Sequence, residues 1–396
     1  MRVSLRSALR PDMMAGTTES APPLLDPAGP FCVLGTRLGD GDLVRPVVPS
    51  AETMFGPRGA DLATGDGPLF VADTGHHRLL VWRRLPRADH VPADFCIGQP
   101  DFGHEGRNAK DAPNAASFNV PTGVAATRDI LAVADAWNHR VLIWHDLPER
   151  SRAADVVLGQ SDFTSTQANR GGEVTAASLN WCYGVAIIGT SLVVCDTGNR
   201  RVLVWHEIPS RNATPADLVL GQSSMNCRDE NAGIGMNAHG MRWPHAASRF
   251  GNRLVVADSG NNRLMVWNRM PERNGAACDF MLGQSDAASC EHNRAAYLPD
   301  ARALNMPYAC AALGDRLAVA DTANSRLIGY TSDGLAMGAA AALLTGQPDF
   351  QSKGDNRWKW PVRDSLCWPY GLSASGDVMV VSDSGNNRVL LWRAAS

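Results

Sequence analysis

The apolar positions of this chain fall into short runs of about five residues, each stopped by glycine, aspartate or a polar turn, and the runs return at a fixed interval. The clearest stretch is VADTGHHRLLVW at 71–82. It recurs as VADAWNHRVLIW (133–144), VCDTGNRRVLVW (194–205), VADSGNNRLMVW (256–267), VADTANSRLIGY (319–330) and VSDSGNNRVLLW (381–392). Its aspartates, Asp73, Asp135, Asp196, Asp258, Asp321 and Asp383, lie 62, 61, 62, 63 and 62 residues apart. A second phrase is an apolar run ended by glycine: PFCVLGT (30–36), DFCIGQ (94–99), DVVLGQ (155–160), DLVLGQ (217–222), DFMLGQ (279–284) and LLTGQ (343–347). A third opens another apolar run at Gly56, Val120, Trp181, Trp243, Met306 and Trp368. Each unit thus predicts four short strands, in the second unit roughly 121–126, 131–134, 140–144 and 154–159.

Six units of four consecutive antiparallel strands predict an all-β fold, a six-bladed β-propeller. The ends of the chain are consistent with closure. The first glycine-stopped strand precedes the first full unit and the last unit lacks one, so strand 31–35 is expected to complete the last blade and remove two open sheet edges. Residues 1–29 are rich in Ala, Pro, Ser and Thr and include Ala21-Pro22-Pro23 and Asp26-Pro27; they are expected to form a flexible N-terminal tail before a propeller at 30–396.

The recurrent polar residues have structural readings. The six aspartates end the second strand, where a carboxylate accepts hydrogen bonds from the following turn. Arg78, Arg140, Arg201, Arg263, Arg326 and Arg388 begin the third strand, and a guanidinium fork suits tying that turn to a carboxylate or to neighbouring carbonyls. Trp82, Trp144, Trp205, Trp267, Trp392 and the variant Tyr330 follow four residues later and are expected to fill the space between blades.

These phrases resemble the NHL-repeat family, through Asn138-His139 followed by Leu142, the Pro-x-Gly-Val-Ala pattern and Val-Ala-Asp-x-x-Asn-x-Arg, over about 366 residues from 31 to 396. The resemblance implies a six-bladed propeller. It leaves the chemistry open, since relatives include RNA-binding modules, scaffolds and lyases.

Composition narrows the functional classes. A net charge of −3 and 19% charged residues give no electrostatic reason for nucleic acid as a partner. No apolar run approaches a bilayer span, so no membrane association is expected. Met1–Arg10 carries three arginines without an apolar core behind them, which speaks against a secretory signal. Nine scattered cysteines without a CxxC pair fit a reduced, cytoplasmic protein.

Function is expected where otherwise uniform repeats differ on one face. The residue after the recurring proline should ring the central pore: Arg58, Thr122, Tyr183, His245, Tyr308 and Tyr370, with Trp181, Trp243 and Trp368 beside them. An arginine, a histidine and aromatic rings at a pore mouth suit a small anionic or aromatic ligand, or a peptide or protein segment. The expected role is therefore a non-catalytic binding or scaffold protein, because no set of nucleophile, base and orienting residue can be picked out. The alternative is a metal-assisted lyase or hydrolase at the same mouth. Cys227, His239, Cys290 and His292, with His245 adjoining, are the residues that would hold a single metal ion, although their spacing matches no zinc motif and no cofactor is otherwise expected. Amidating lyases of similar fold carry zinc-binding histidines after the proline in three blades; here only His245 stands there.

Overall fold

The computed structural model describes residues 21–37 and 47–396. Their strands form six four-stranded antiparallel sheets, each made of strands consecutive in sequence except at the closure. Blade 2 shows the plan: Pro121–Ala126 nearest the axis, then Leu131–Asp135, Arg140–Trp144 and the outer Val156–Leu158. In blade 6 the outer strand is Cys32–Gly35, which pairs antiparallel with Arg388–Arg393, Cys32 opposite Leu391 and Gly35 opposite Arg388. The ring is thus closed by the N-terminal strand.

Apolar side chains on the two faces of each sheet meet those of the neighbouring blades, so the core is six wedges rather than one centre. In the wedge between blades 1 and 2, Trp144 packs with Phe70, Leu79, Val81, Phe118 and Val133. In blades 1 to 4 the indole also donates to a carbonyl of the connection that follows it: Trp82 to Val91, Trp144 to Arg152, Trp205 to Thr214, Trp267 to Ala276. Close to the axis the strands nearly touch. A Cβ on Gly59 would lie 2.0 Å from the Thr122 carbonyl oxygen, which is the physical reason for glycine in the Pro-x-Gly phrase.

The aspartate and arginine of each repeat form a buried knot. Arg201 Nε donates to Asp196 Oδ2 at 2.7 Å with both side chains fully buried, and its Nη2 donates to the carbonyls of Thr175 and Ser178 at 2.9 Å. The same Nε–Oδ2 bond, 2.7–3.0 Å long, occurs in the other five blades. Burial pushes the carboxyls of Asp135, Asp196 and Asp383 upward, and the facing arginine is the largest influence opposing it. The backbone bond that each aspartate accepts comes from the loop before the inner strand, such as Asn180 N to Asp196 Oδ1 at 2.7 Å, and not from the following turn as its position suggests. The carboxylate thereby pins the long loop to the mouth face.

Residues 1–20 lie outside the described residues. Residues 21–29 touch the last two blades: Leu24 and Leu25 are buried, Pro23 bridges to Leu344, and Trp392 Nε1 donates to the Asp26 carbonyl at 2.8 Å. Blade 6 has no following connection to cap its tryptophan, and this segment supplies the carbonyl that the connection supplies in blades 1 to 4.

Candidate functional site

Each second strand ends in a three-residue 3-10 turn closed by a left-handed residue: His77, His139, Arg200, Asn262, Ser325 and Asn387, with φ between 50° and 57°. In five blades the side chain of this residue accepts a hydrogen bond from the backbone of the next blade. Val120 N donates to His77 Nδ1, Trp181 N to His139 Nδ1, Met306 N to Asn262 Oδ1, Trp368 N to Ser325 Oγ and Gly56 N to Asn387 Oδ1, at 2.8–3.3 Å. These latches hold the residue before each inner strand, and so aim the residue two positions on, toward the axis.

The mouth brings together five of the six residues expected there. Tyr183, His245, Tyr308 and Tyr370 form a continuous arc of rings with centroids 4.8, 4.4 and 4.5 Å apart. Arg58 closes the arc, donating from Nη1 to the Tyr183 hydroxyl at 2.7 Å and lying 4.9 Å over the Tyr370 ring. Thr122 is turned away and donates to the Tyr183 carbonyl at 2.8 Å. His245 pairs its Nδ1 with the Trp243 carbonyl at 2.9 Å, which fixes the proton on Nδ1 of the neutral ring, and burial pushes its pKa down to about 4. Burial likewise raises the Tyr183 and Tyr308 phenols, so at neutral pH these two rings and His245 are uncharged.

The space inside this arc is only about 80 Å³, enough for a few waters. Larger room lies beside it. One groove of about 480 Å³ is bounded by Phe55, Arg58, His77, Arg107, Trp137, Trp368 and Tyr370 among others, and a second of about 420 Å³ by Trp137, His139, Asn180, Trp181, Gly198, Arg200 and Trp243. Trp137 is the ridge between them, 43% exposed, with the Arg107 guanidinium 5.1 Å above its ring. The three tryptophans expected at the mouth therefore divide, Trp368 in the first groove and Trp181 and Trp243 in the second. Phe55, Trp137 and Arg200 are not among the residues the repeat pattern points to, although Trp137 stands where the other repeats carry Gly75, Gly198, Gly260, Ala323 and Gly385.

The metal set does not form. His239 Nδ1 pairs with the Gly275 carbonyl at 2.8 Å and Cys227 Sγ lies 3.2 Å from Ser224 Oγ, while His245 faces the tyrosines of the mouth. Among the described residues no group of three or more His, Cys, Asp or Glu is spaced to hold a metal ion, so Cys227, His239, Cys290, His292 and His245 are not brought together. The loops carrying them belong to different blades and each is pinned to its own knot. All nine cysteines are free, and among the described residues no helix is long and apolar enough to cross a membrane.

One consequence of the neutral His245 is measurable. The unfolded imidazole ionises at about 6.5, so between pH 6.5 and about 4 the unfolded chain binds more protons than the folded one, and this residue costs stability as pH falls. Asp61, pushed up to about 6 by burial in the channel, has the opposite slope, since its contribution is lost as pH rises through that value. Melting profiles of wild type and His245→Phe separate the two: the variant should lose less stability than wild type on going from pH 6.5 to 4, and parallel profiles would place the imidazole in contact with bulk water.

No family model matches the chain. Over 73 residues, 18% of this chain, it is 39% identical to NHL repeat-containing protein 2 of Gallus gallus, and over 74 residues it is 36% identical to the Homo sapiens protein of the same name. These matches span 9% of the length of those curated relatives. Among solved structures, a protein of unknown function from Bacteroides thetaiotaomicron VPI-5482 superposes with a TM-score of 0.52 at 12% identity, over 93% of this chain and 75% of that one, a likeness of fold alone. With its six knots, its latched blades and this partial likeness, the chain is a six-bladed β-propeller consistent with the NHL-repeat family.

Proposed function

We propose that this protein is a non-catalytic binding propeller that holds a peptide or small-molecule ligand of anionic or aromatic character on its mouth face. The observation that carries this reading is Arg58. It is the one cation in a ring of otherwise neutral rings, and it forms part of the wall of a 480 Å³ groove with Phe55, Trp137, Trp368 and Tyr370. A guanidinium already oriented by Tyr183 and Tyr370 loses little freedom on meeting an anion, and the flanking rings offer flat apolar contact. The alternative of a metal-assisted lyase or hydrolase lacks its ligand set among the described residues, so binding is the reading the geometry supports.

Native mass spectrometry of gently purified protein tests it. Wild type should carry a retained mass that Arg58→Gln and Trp368→Ala lose, with unfolding midpoints that stay close to wild type. Retention unchanged in both variants would remove the groove walled by Arg58 and Trp368 as the site.

A further inference from the structure

The latch that five blades share is broken in one place, and a groove opens there. Arg200 occupies the latch position of blade 3, yet a guanidinium has no acceptor. The backbone N–H of Trp243 instead shares Asp258 Oδ1 with Arg242, at 3.3 and 2.9 Å. In the five latched blades the residue held by the latch is left-handed, with φ of 55° at Gly56, 58° at Val120, 53° at Trp181, 50° at Met306 and 50° at Trp368, whereas Trp243 has no positive φ. Released from that conformation, Trp243 is 37% exposed and contributes to the wall of the 420 Å³ groove with Trp137 and Trp181.

Arg200 and His139 keep free donors in this groove. The Arg200 side chain makes one hydrogen bond, from Nη1 to the Arg228 carbonyl at 3.2 Å, and its Nε is buried with no partner. His139 accepts at Nδ1 from Trp181 N, so its proton is on Nε2. No carboxylate is among the groove's lining residues. Arg107 and Arg242 add positive charge at the rim by stacking over Trp137 and Trp243, Arg242 being paired with Glu230 at 3.4 Å. Two facts thus coincide: a repeat rule that favours stability is given up at Arg200, and the residue that breaks it adds a cation to a groove that three indoles also line.

We infer that this groove binds an aromatic carboxylate, its acid group on Arg200 and His139 and its ring against Trp181 and Trp243. The acid belongs either to a free aromatic acid or to the C-terminal residue of a peptide. The site is separate from the Arg58 wall and does not depend on that wall being occupied.

The test is calorimetric titration of the whole chain with indole-3-propionate and its amide, and with acetyl-Gly-Gly-Trp as free acid and as C-terminal amide. The acids should bind at least about tenfold more tightly than the amides, the loss of one charge-assisted bidentate contact. Equal affinity for the two acids assigns the site to free acids, and tighter binding of the tripeptide acid assigns it to peptide C-termini. Arg200→Asn places at this position the residue that blades 4 and 6 carry, so it should restore the latch to Trp243. That variant should melt at or about 1 °C above wild type and bind the acid at least about tenfold more weakly, while Arg58→Gln leaves the affinity within about twofold. Acid and amide binding alike, undiminished binding by Arg200→Asn, or no binding of any probe at millimolar concentration would each overturn the inference. Loss of binding in Arg58→Gln with retention in Arg200→Asn would move the ligand to the mouth wall, overturning this inference and leaving the reading of the mouth intact.

Discussion

Deleting residues 1–36 should leave a chain that aggregates or unfolds without a cooperative transition. The deletion removes Cys32–Gly35 from blade 6 and exposes the hydrogen-bonding edge of Arg388–Arg393, whose Val389, Leu390, Leu391 and Trp392 are buried in the intact ring. It also removes Leu24, Leu25, Val33 and Leu34, all buried, together worth about 6–12 kcal/mol of apolar burial. That is comparable with the ~5–15 kcal/mol by which a typical native protein is stable. A bare apolar strand edge is also a template for pairing with another chain, so aggregation is expected alongside unfolding. Light scattering and thermal melts check this, and a soluble monomer with an unchanged melting temperature would show that the ring does not depend on its closing strand.

The second large effect concerns the buried knots. Arg201→Met should cost about 3–5 kcal/mol, because it leaves Asp196 in the core without its counter-charge. It also strips donors from the carbonyls of Thr175, Ser178 and Met225, by which the intact guanidinium ties two loops together. The companion double variant Asp196→Asn/Arg201→Met separates these contributions. Removing the stranded charge should recover part of the loss, while the carbonyls remain without their donor and keep the double variant below wild type. Denaturant midpoints measure both. A single variant within about 1 kcal/mol of wild type would mean that water reaches Asp196 and that the knot is not sealed.

Much of this architecture is legible in the chain before any folding is considered. The 62-residue interval, the glycine-stopped runs and the unpaired first strand specify six blades and their closure, because a strand's period and a turn's chemistry are local and each copy repeats them. The roles of Arg201 and Trp205 follow in the same way, since a side chain that recurs at one register, the arginine in six copies and the tryptophan in five, meets the same neighbours each time. Asn108, Asn169, Asn231, Asn293 and Asn356 belong to that class too. Each pairs its amide with the asparagine of the nearby 3-10 turn, as Asn108 does with Asn138, a repeat signal that the longer apolar phrases overshadow.

What the tertiary structure alone decided lies where residues from different blades meet. The arc from Tyr183 to Tyr370 draws on four inner strands, and whether its rings stack on one another or stand open to a ligand depends on the spacing of those strands around the axis. The packing of residues 21–29 depends on blade 6 lacking a connection of its own. The break at Arg200 is visible only beside Trp243, 43 residues away, because a latch is a contact between the turn of one blade and the entry of the next. Local pattern therefore determines the blades, whereas the ring's closure determines which side chains become neighbours, and the chemistry of the mouth face follows from those neighbours.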